Sequence, residues 1–304
     1  MFTRMENQGL NQPIISIVIP FFNDGAYIDD AVDSILNQSY QNTEIIIVND
    51  GSTDPDSVEK ISQYNKPRTT VYHKENGHLS SARNYGFARA QGEYVLTLDA
   101  DDMFEPTFIT KAAKILDEQP EMGAVSAWVA GFGYQSFTWE HLQGGGLENF
   151  VTQNNSVACA LIRKSIWLHL GGYDENMKEG YEDWEFWINM TKSGWAVYII
   201  KEHLFKYRQK KQSMILNTQK KHLEIYQYIL VKHSGVLSVF WLSIIQAKNA
   251  DIRYLEELVR HTKLYREQEI YESDILLKRV YASTSYRVGN FMVAPFSFMK
   301  RYFS

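Results

Sequence analysis

The chain has 304 residues, of which 44% are hydrophobic and 22% charged, and its formal net charge is −5 at pH 7. This composition predicts a globular protein with one large domain and an appendage, and the acidic balance argues against a nucleic-acid binder. The single cysteine, Cys159, excludes an internal disulfide framework and indicates a reducing compartment. Because neither an export signal nor an apolar stretch of about 20 residues is recognisable, a cytoplasmic location is expected.

Short β-branched runs alternate with helical patterns along the first two thirds of the chain. Continuous apolar runs predict strands at 14–19, 44–48, 69–73, 94–98, 124–129, 157–162 and 196–200. Amphipathic periodicity predicts helices at 26–38, 80–90, 107–118, 164–170 and 182–193, and Asp54-Pro55 is typical of the start of a further helix. The alternation predicts an α/β, Rossmann-like fold with a mostly parallel sheet flanked by helices. The glycine-rich segment 131–150 is expected to be a loop or short hairpin.

Three polar segments follow predicted strands, at 20–25, 49–54 and 99–102. In open α/β sheets, ligands bind beyond the carboxyl ends of the strands. The three segments are therefore expected to meet at one edge of the sheet, although they are far apart in sequence.

The segment 99–102 places three acids, Asp99, Asp101 and Asp102, directly after a buried strand. Clustered like charges repel one another, whereas hard divalent cations bind oxygen ligands. A helix cap is the alternative interpretation, but one Asp would be enough for a cap. The cluster therefore predicts a cation site.

Six segments, in this order, resemble family 2 nucleotide-sugar glycosyltransferases, which have the GT-A fold. They are IVIPFFN at 17–23, VNDGSTD at 48–54, SARNYG at 81–86, LDADD at 98–102, GGYDE at 171–175 and GYEDWE at 180–185. The resemblance covers roughly residues 14–210. It implies transfer of a sugar from a nucleoside diphosphate to an acceptor hydroxyl, assisted by Mn²⁺ or Mg²⁺, with inversion at the anomeric carbon.

The resemblance also implies roles for the three acids. Asp101, the last acid of the Asp-x-Asp motif, is expected to bind the metal, and Asp99 to hold the ribose or share the metal. Asp102 is expected either to contact the metal-binding residues without binding the metal itself or to cap a helix.

Four further residues match positions that contact the nucleotide in the family. Asp50 is expected to accept a hydrogen bond from the nucleobase, with a turn residue before Gly51 as the alternative. Pro20 and Phe22 are expected to shape the base pocket. Arg83 is expected to contact the nucleotide, and an ordinary Arg on a helix surface is the alternative.

Asp183 matches the acid that removes the acceptor proton in the family, as inversion requires. A helix N-terminus is expected to hold this carboxylate and to favour its charged form. Alternatively, Glu182 and Asp183 only complement the helix dipole. Trp184 or Trp187 is expected either to line the acceptor site or to pack in the core.

One position departs from the family pattern. Many relatives have Tyr-Arg-x-His after the last strand, and the His completes the metal shell; this chain ends the same stretch with Lys210. A protonated Lys cannot bind a cation, but its ammonium is expected to neutralise diphosphate charge. His203 is the other nearby candidate ligand, if it is not simply a solvent-exposed or core residue.

The predicted domains are residues 1–213, with the GT-A fold, and residues 214–304, a helical extension. From residue 275 onwards, the extension has basic and large apolar residues but no acid; the basic ones are Lys278, Arg279, Arg287, Lys300 and Arg301. Such a tail suits an anionic membrane surface, and an ordinary helix that covers the core is the alternative.

The resulting hypothesis is an inverting glycosyltransferase of cell-surface polysaccharide or glycoconjugate synthesis. Its partners would be a nucleotide-sugar donor and a glycan or lipid-linked acceptor, with peripheral contact at the inner face of the membrane. Two alternatives are a glycoside hydrolase that uses Asp101 and Asp183, and a non-catalytic partner subunit that retains the fold.

Overall fold

The computed structural model describes residues 12–211, 218 and 220–265. The chain divides into two compact units, Met1–Ile215 and Leu216–Ser304. The division predicted from the sequence, between 213 and 214, stays a prediction because residues 212–217 lie outside the described part.

Strands and helices alternate through the described residues of the first unit. The strands are β1 Ile15–Phe21, β2 Thr43–Asp50, β3 Thr69–Lys74, β4 Tyr94–Thr97, β5 Met103–Phe104, β6 Met122–Gly133, β7 Phe137–Trp139, β8 Leu161–Arg163 and β9 Ala196–Gln209. The helices are α1 Ile28–Leu36, α2 Pro55–Ser62, α3 His78–Phe87, α4 Phe108–Glu118, α5 Lys164–Leu170 and α6 Glu182–Lys192, with a 3-10 turn at Leu147–Asn149. The predicted α/β alternation is confirmed.

Across residues 12–211, the nine strands form one mixed sheet in the order β3-β2-β1-β4-β8-β6-β9-β5, and β7 pairs with β6. Neighbours β3, β2, β1 and β4 are parallel, as are β6 and β9. Strand β8 runs antiparallel to both β4 and β6, and it joins the two parallel groups into a single sheet. The mostly parallel sheet is therefore as predicted, with three short strands of opposite direction.

The core is built on strands that are buried on both faces. All seven residues of β1 are buried, and α3 packs against this strand so closely that a Cβ on Gly86 would lie 2.4 Å from Val18 Cγ1. Helix α1 buries Ile28, Ala31 and Val32 on one face. Full burial of an Ile or Val side chain such as Ile28 or Val32 contributes about 1.5–3 kcal/mol.

Two strands are longer than their apolar patterns predicted. Strand β6 extends to Gly133 and forms a hairpin with β7, so that the segment 131–150 is in part regular structure. Strand β9 pairs with β6 as far as Gln209, beyond the predicted end at residue 200. This extension carries Lys210 to the carboxyl edge of the sheet.

The described part of the second unit is helical, as expected. Its helices are α7 His222–Lys232, α8 Ser234–Leu237 and α9 Trp241–Tyr265, with a 3-10 turn at Ser238–Phe240. Among the described residues, no single helix has the length and apolarity needed to cross a membrane; His222–Lys232 and Ser234–Tyr254, bent by 86°, meet both criteria only as a pair. The basic and aromatic tail lies outside the described residues.

Candidate active site

The loops that follow β1 and β2 are bound to each other. Asn23 Oδ1 accepts hydrogen bonds from the backbone N–H groups of Thr53, at 2.8 Å, and Asp54, at 2.9 Å. The Asn23 backbone N–H donates in turn to Ser52 Oγ, at 3.0 Å. Asn23 has φ of 60°, in the left-handed region that Asn tolerates better than most residues. Two of the predicted polar segments therefore do meet at one edge.

The third segment, with the three acids, is bound to the end of β9. Asp102 Oδ1 accepts a hydrogen bond from the Arg208 backbone N–H, at 2.7 Å, and the Asp101 carbonyl accepts from Arg208 Nε, at 2.9 Å. Burial raises the pKa of the Asp102 carboxyl well above its usual range, and the charges of Asp101 and Asp99 raise it further. Burial also raises the pKa of Asp101, against the lowering effect of Lys210. The positive charge nearby is therefore too small to hold the pKa values of Asp101 and Asp102 in their usual range.

The acid cluster has the donors that a hard cation requires. Ligand atoms of Asp99, Asp102 and Cys159 lie within 4.8 Å of one another. The two carboxylates suit Mg²⁺ or Mn²⁺, whereas burial raises the pKa of the Cys159 thiol and keeps it protonated. The residues fit a divalent cation on charge and donor type; Asp102 groups with Asp99 in this structure, while the Asp101 carboxylate is paired with Lys210.

Lys210 lies across the same site. Its Nζ is 2.7 Å from Asp101 Oδ2 and 2.7 Å from Asp24 Oδ1. The other candidate ligand, His203, lies in β9 with Nε2 3.1 Å from Glu140 Oε1. His203 Nε2 therefore lies beside Glu140, and this geometry does not support the interpretation of His203 as a metal ligand.

The predicted nucleobase residues line the ends of β1 and β2. Asp50 is buried, and its Oδ1 accepts from Lys74 Nζ at 2.6 Å and from the Gly77 backbone N–H at 3.0 Å. Pro20 lies within β1, opposite Val48 of β2. Phe22, one residue beyond β1, leaves 44% of its surface exposed. An exposed ring such as Phe22 can stack on a planar base, and a carboxylate such as Asp50 can accept a hydrogen bond from one.

Arg83 is fully buried and joins two acids. Its Nη2 donates to Asp99 Oδ1, at 2.8 Å, and its Nη1 donates to Glu182 Oε1, at 2.6 Å. Burial acts to lower the pKa of Arg83, but the charges of Asp99 and Glu182 outweigh it and raise the pKa. The helix-surface alternative is wrong, since the side chain has 0% exposure. Direct contact with a nucleotide stays a prediction.

Asp183 lies in the first turn of α6, after Gly180 and Tyr181, whose φ angles are 106° and 59°. Its Oδ1 accepts from the Trp184 backbone N–H, and its Oδ2 accepts from Asn154 Nδ2, both at 2.8 Å. Burial and then the Glu182 charge raise the pKa of Asp183 to about 7. The helix N-terminus does favour the charged form of Asp183, through the Trp184 N–H, but burial outweighs this effect and the pKa is raised overall.

The two tryptophans of α6 belong to the core. Trp187 is fully buried, and Trp184 is 2% exposed. Trp184 Nε1 donates to the Phe150 carbonyl, at 2.6 Å. Neither ring is open to an acceptor in this structure, so the core interpretation holds for both.

Two asparagines have structural roles that the sequence analysis did not assign. Asn84 Oδ1 accepts from the Tyr173 backbone N–H, at 2.8 Å, and its Nδ2 donates to the Tyr173 carbonyl, at 2.8 Å. Asn84 belongs to α3, so these hydrogen bonds attach the turn at 171–173, which precedes α6, to that helix. Asn154 holds Asp183 from an irregular loop, and no local pattern marks a loop residue that acts across 29 positions.

Comparison with known proteins agrees with this geometry. The family model "Glycosyl transferase family 2" matches residues 16–171, and "Glycosyltransferase like family 2" matches residues 122–242. An uncharacterized glycosyltransferase of Rickettsia typhi is 30% identical over 238 residues, which are 72% of this chain and 71% of that protein. TuaG of Bacillus subtilis, named for teichuronic acid biosynthesis, is 27% identical over 79% of this chain and 96% of its own.

Other relatives match over a shorter stretch. An uncharacterized glycosyltransferase of Rickettsia felis is 41% identical over 106 residues, which are 35% of this chain and only 18% of that protein. Among solved structures, S. aureus TarS in complex with UDP-GlcNAc has a TM-score of 0.57 and 17% identity, over 91% of this chain and 92% of that chain. The likeness to TarS shows that the two chains share the GT-A fold. On the family match and the Rickettsia typhi relative, the chain belongs to glycosyltransferase family 2 and is a glycosyltransferase.

Proposed function

We propose that this glycosyltransferase transfers a sugar, with inversion, from a uridine-diphosphate sugar to an acceptor hydroxyl in cell-surface polysaccharide synthesis. The observation that carries the proposal is the chain of ion pairs Asp99–Arg83–Glu182, with links of 2.8 and 2.6 Å. It places the first turn of α6, and with it Asp183, beside the acids expected to bind the donor.

Asp183 is the proposed base. Its carboxylate takes the proton of the acceptor hydroxyl while the acceptor oxygen forms a bond to the anomeric carbon. The bond from that carbon to the diphosphate breaks on the opposite face, and its electron pair leaves with the diphosphate. A pKa of about 7 suits this role, because such a group is partly charged at neutral pH and still a stronger base than an ordinary Asp.

The residues at the ends of β1, β2 and β4 would hold the donor. Asp50 and Phe22 suit the base, and Asp99 suits the ribose or a cation. When bound, a divalent cation would neutralise negative charge that develops on the leaving diphosphate, and Asp99, Asp101 and Asp102 are the residues that would hold it. We propose Mn²⁺ or Mg²⁺ as this cation.

The uridine nucleotide and the pathway are supported by relatives. S. aureus TarS is solved in complex with UDP and with UDP-GlcNAc, and TuaG is named for teichuronic acid biosynthesis. A glycan or lipid-linked acceptor follows from such a pathway. Family membership argues against the glycoside hydrolase alternative. The presence of the acids at 99–102 and of Asp183 argues against a non-catalytic subunit.

Titration calorimetry of UDP, GDP and dTDP, each with and without Mn²⁺, tests the donor site. We expect UDP to bind most tightly, and Asp101→Ala to weaken the Mn²⁺-dependent part of its binding at least about tenfold, because a carboxylate of the proposed cation site is lost. The matched control is Asp56→Asn, an exposed acid of α2. Binding of none of the three nucleotides would overturn the proposal, and equal affinity in Asp101→Ala would remove Asp101 from the cation site.

We further propose that the tail attaches the enzyme to the inner face of the membrane. The support is its composition, with five basic residues and no acid from residue 275 onwards. Deletion of residues 285–304 is expected to abolish sedimentation with vesicles of phosphatidylglycerol, whereas neutral phosphatidylcholine vesicles should retain neither form. Equal sedimentation of the full and truncated chains would contradict this attachment.

A further inference from the structure

We propose that the Lys210 ammonium and a divalent cation compete for the Asp101 carboxylate, and that the diphosphate of the donor relieves the competition by drawing Lys210 onto its own oxygens. The nucleotide part of this inference rests on the proposed function; the competition itself does not.

Lys210 is already paired with Asp101, one of the carboxylates that would hold the cation. Its Nζ is 2.7 Å from Asp101 Oδ2 and 2.7 Å from Asp24 Oδ1, so one ammonium bridges two carboxylates from different strand ends. It also lies 5.2 Å from the centre of the Tyr27 ring. The side chain is only 28% exposed, which strengthens these interactions relative to a surface ion pair. Without nucleotide, Asp101 is therefore held by the protein's own cation.

A metal ion cannot simply join this arrangement. An ammonium has no lone pair to offer as a ligand, and two cations on one carboxylate repel each other over a few ångströms. Binding of Mn²⁺ to Asp101 must therefore displace Lys210 or bear that repulsion. Either way, Lys210 lowers the affinity of the free protein for the metal.

Lys210 can move, whereas its neighbour Arg208 is held. Arg208 donates from its backbone to Asp102, from Nε to the Asp101 carbonyl and from Nη2 to Asp30, at 2.7, 2.9 and 2.7 Å. Lys210 is the first residue after β9, and a flexible stem carries its charge. Arg208 therefore fixes the acid segment, and Lys210 is the part that can reorient.

The diphosphate is the natural new partner of this ammonium, because it presents several charged oxygens to a single Nζ and can replace both the Asp101 and the Asp24 contact. Once Lys210 leaves, Asp101 is available to the metal. The nucleotide then raises the affinity for the metal, and by thermodynamic reciprocity the metal raises the affinity for the nucleotide by the same factor.

Mn²⁺ titration of the full chain without nucleotide, followed by water-proton relaxation, tests the competition. Lys210→Met removes the charge and retains an aliphatic stem against Tyr27, and it is expected to bind Mn²⁺ at least about tenfold more tightly than the wild type. Lys210→Arg retains the charge and should bind Mn²⁺ as the wild type does. Lys206→Met is the matched control and should change nothing; it removes a Lys of β9, four residues before Lys210, whose Nζ lies 2.7 Å from Glu105 Oε1. Equal or weaker binding in Lys210→Met would overturn the competition.

The same titrations with saturating UDP test whether the diphosphate relieves the competition between Lys210 and the metal. In the wild type, UDP should raise Mn²⁺ affinity at least about tenfold more than it does in Lys210→Met, where no competition remains to be relieved. An equal increment in both proteins would overturn the transfer of Lys210 to the diphosphate. If UDP binds neither protein, the proposed function fails, while the comparison without nucleotide still decides the competition.

Discussion

Asp183→Asn is expected to lower the rate of sugar transfer by about 10²–10⁴-fold, the contribution typical of a general base, while the affinity for UDP changes by less than about twofold. The amide has nearly the shape of the carboxylate but cannot accept the acceptor proton. The hydrogen-bond donors to Asp183 are Trp184 and Asn154, and neither is a proposed donor-binding residue. Nucleotide binding should therefore be unaffected.

The substitution should not unfold the protein. The raised pKa of Asp183 means that its surroundings disfavour the charged form, and a neutral amide removes the repulsion with Glu182. Asp56→Asn makes the same change in the first turn of α2, on an exposed residue, and should leave the rate unchanged. Full activity in Asp183→Asn would exclude Asp183 as the base.

The pH dependence gives a second test of the same base. With its pKa near 7, Asp183 loses its charge as the pH falls below 7, and the transfer rate should fall with it. The Asn154 hydrogen bond favours the charged form, so Asn154→Ala should raise the pKa and shift the acid limb of the rate profile to higher pH. Gln153→Ala, an exposed neighbour, should leave the limb in place. A shift to lower pH would contradict the role of Asn154.

The first half of the fold follows closely from sequence because its elements are local. The runs at 15–21 and 43–50 are buried on both faces and have no competing period, and Asp54 caps α2 by accepting from the Ser57 N–H as its motif predicts. The extensions of β6 and β9 were missed because β6 continues through Gly131 and Gly133, β9 continues through charged residues, and the pairing of the two extensions is not local. The antiparallel direction of β8 is likewise a tertiary property.

The candidate site was predictable where a motif marks a strand end and not where a residue acts at a distance. Asp50 and the acid segment lie where the strand pattern places them. The burial of Arg83 was not foreseen, since its partners Asp99 and Glu182 are 16 and 99 residues away. The raised pKa of Asp183 was not foreseen either, because a local rule about helix ends takes no account of desolvation by distant segments.

Removal of the buried Arg83 charge should destabilise the protein more than any surface substitution. Arg83→Met leaves Glu182, which is 4% exposed, without the guanidinium 2.6 Å away, and a broken buried pair costs about 3–5 kcal/mol. For a unit of this size the loss corresponds to a fall of about 6–20 °C in Tm. Thermal unfolding followed by circular dichroism measures it directly.

Two further variants decide whether the effect comes from the ion pair. Arg89→Met removes an exposed Arg of the segment just after α3, whose guanidinium lies 3.3 Å from the centre of the Tyr85 ring, and should cost about 1 kcal/mol or less. Arg83→Met combined with Glu182→Met removes both charges, so no uncompensated Glu182 remains, and the double variant should unfold at a higher temperature than Arg83→Met alone. Two results would contradict this role of the Asp99–Arg83–Glu182 chain: Arg83→Met no less stable than Arg89→Met, or the double variant the least stable of the three. In either case, these ion pairs do not fix α6 beside the donor acids.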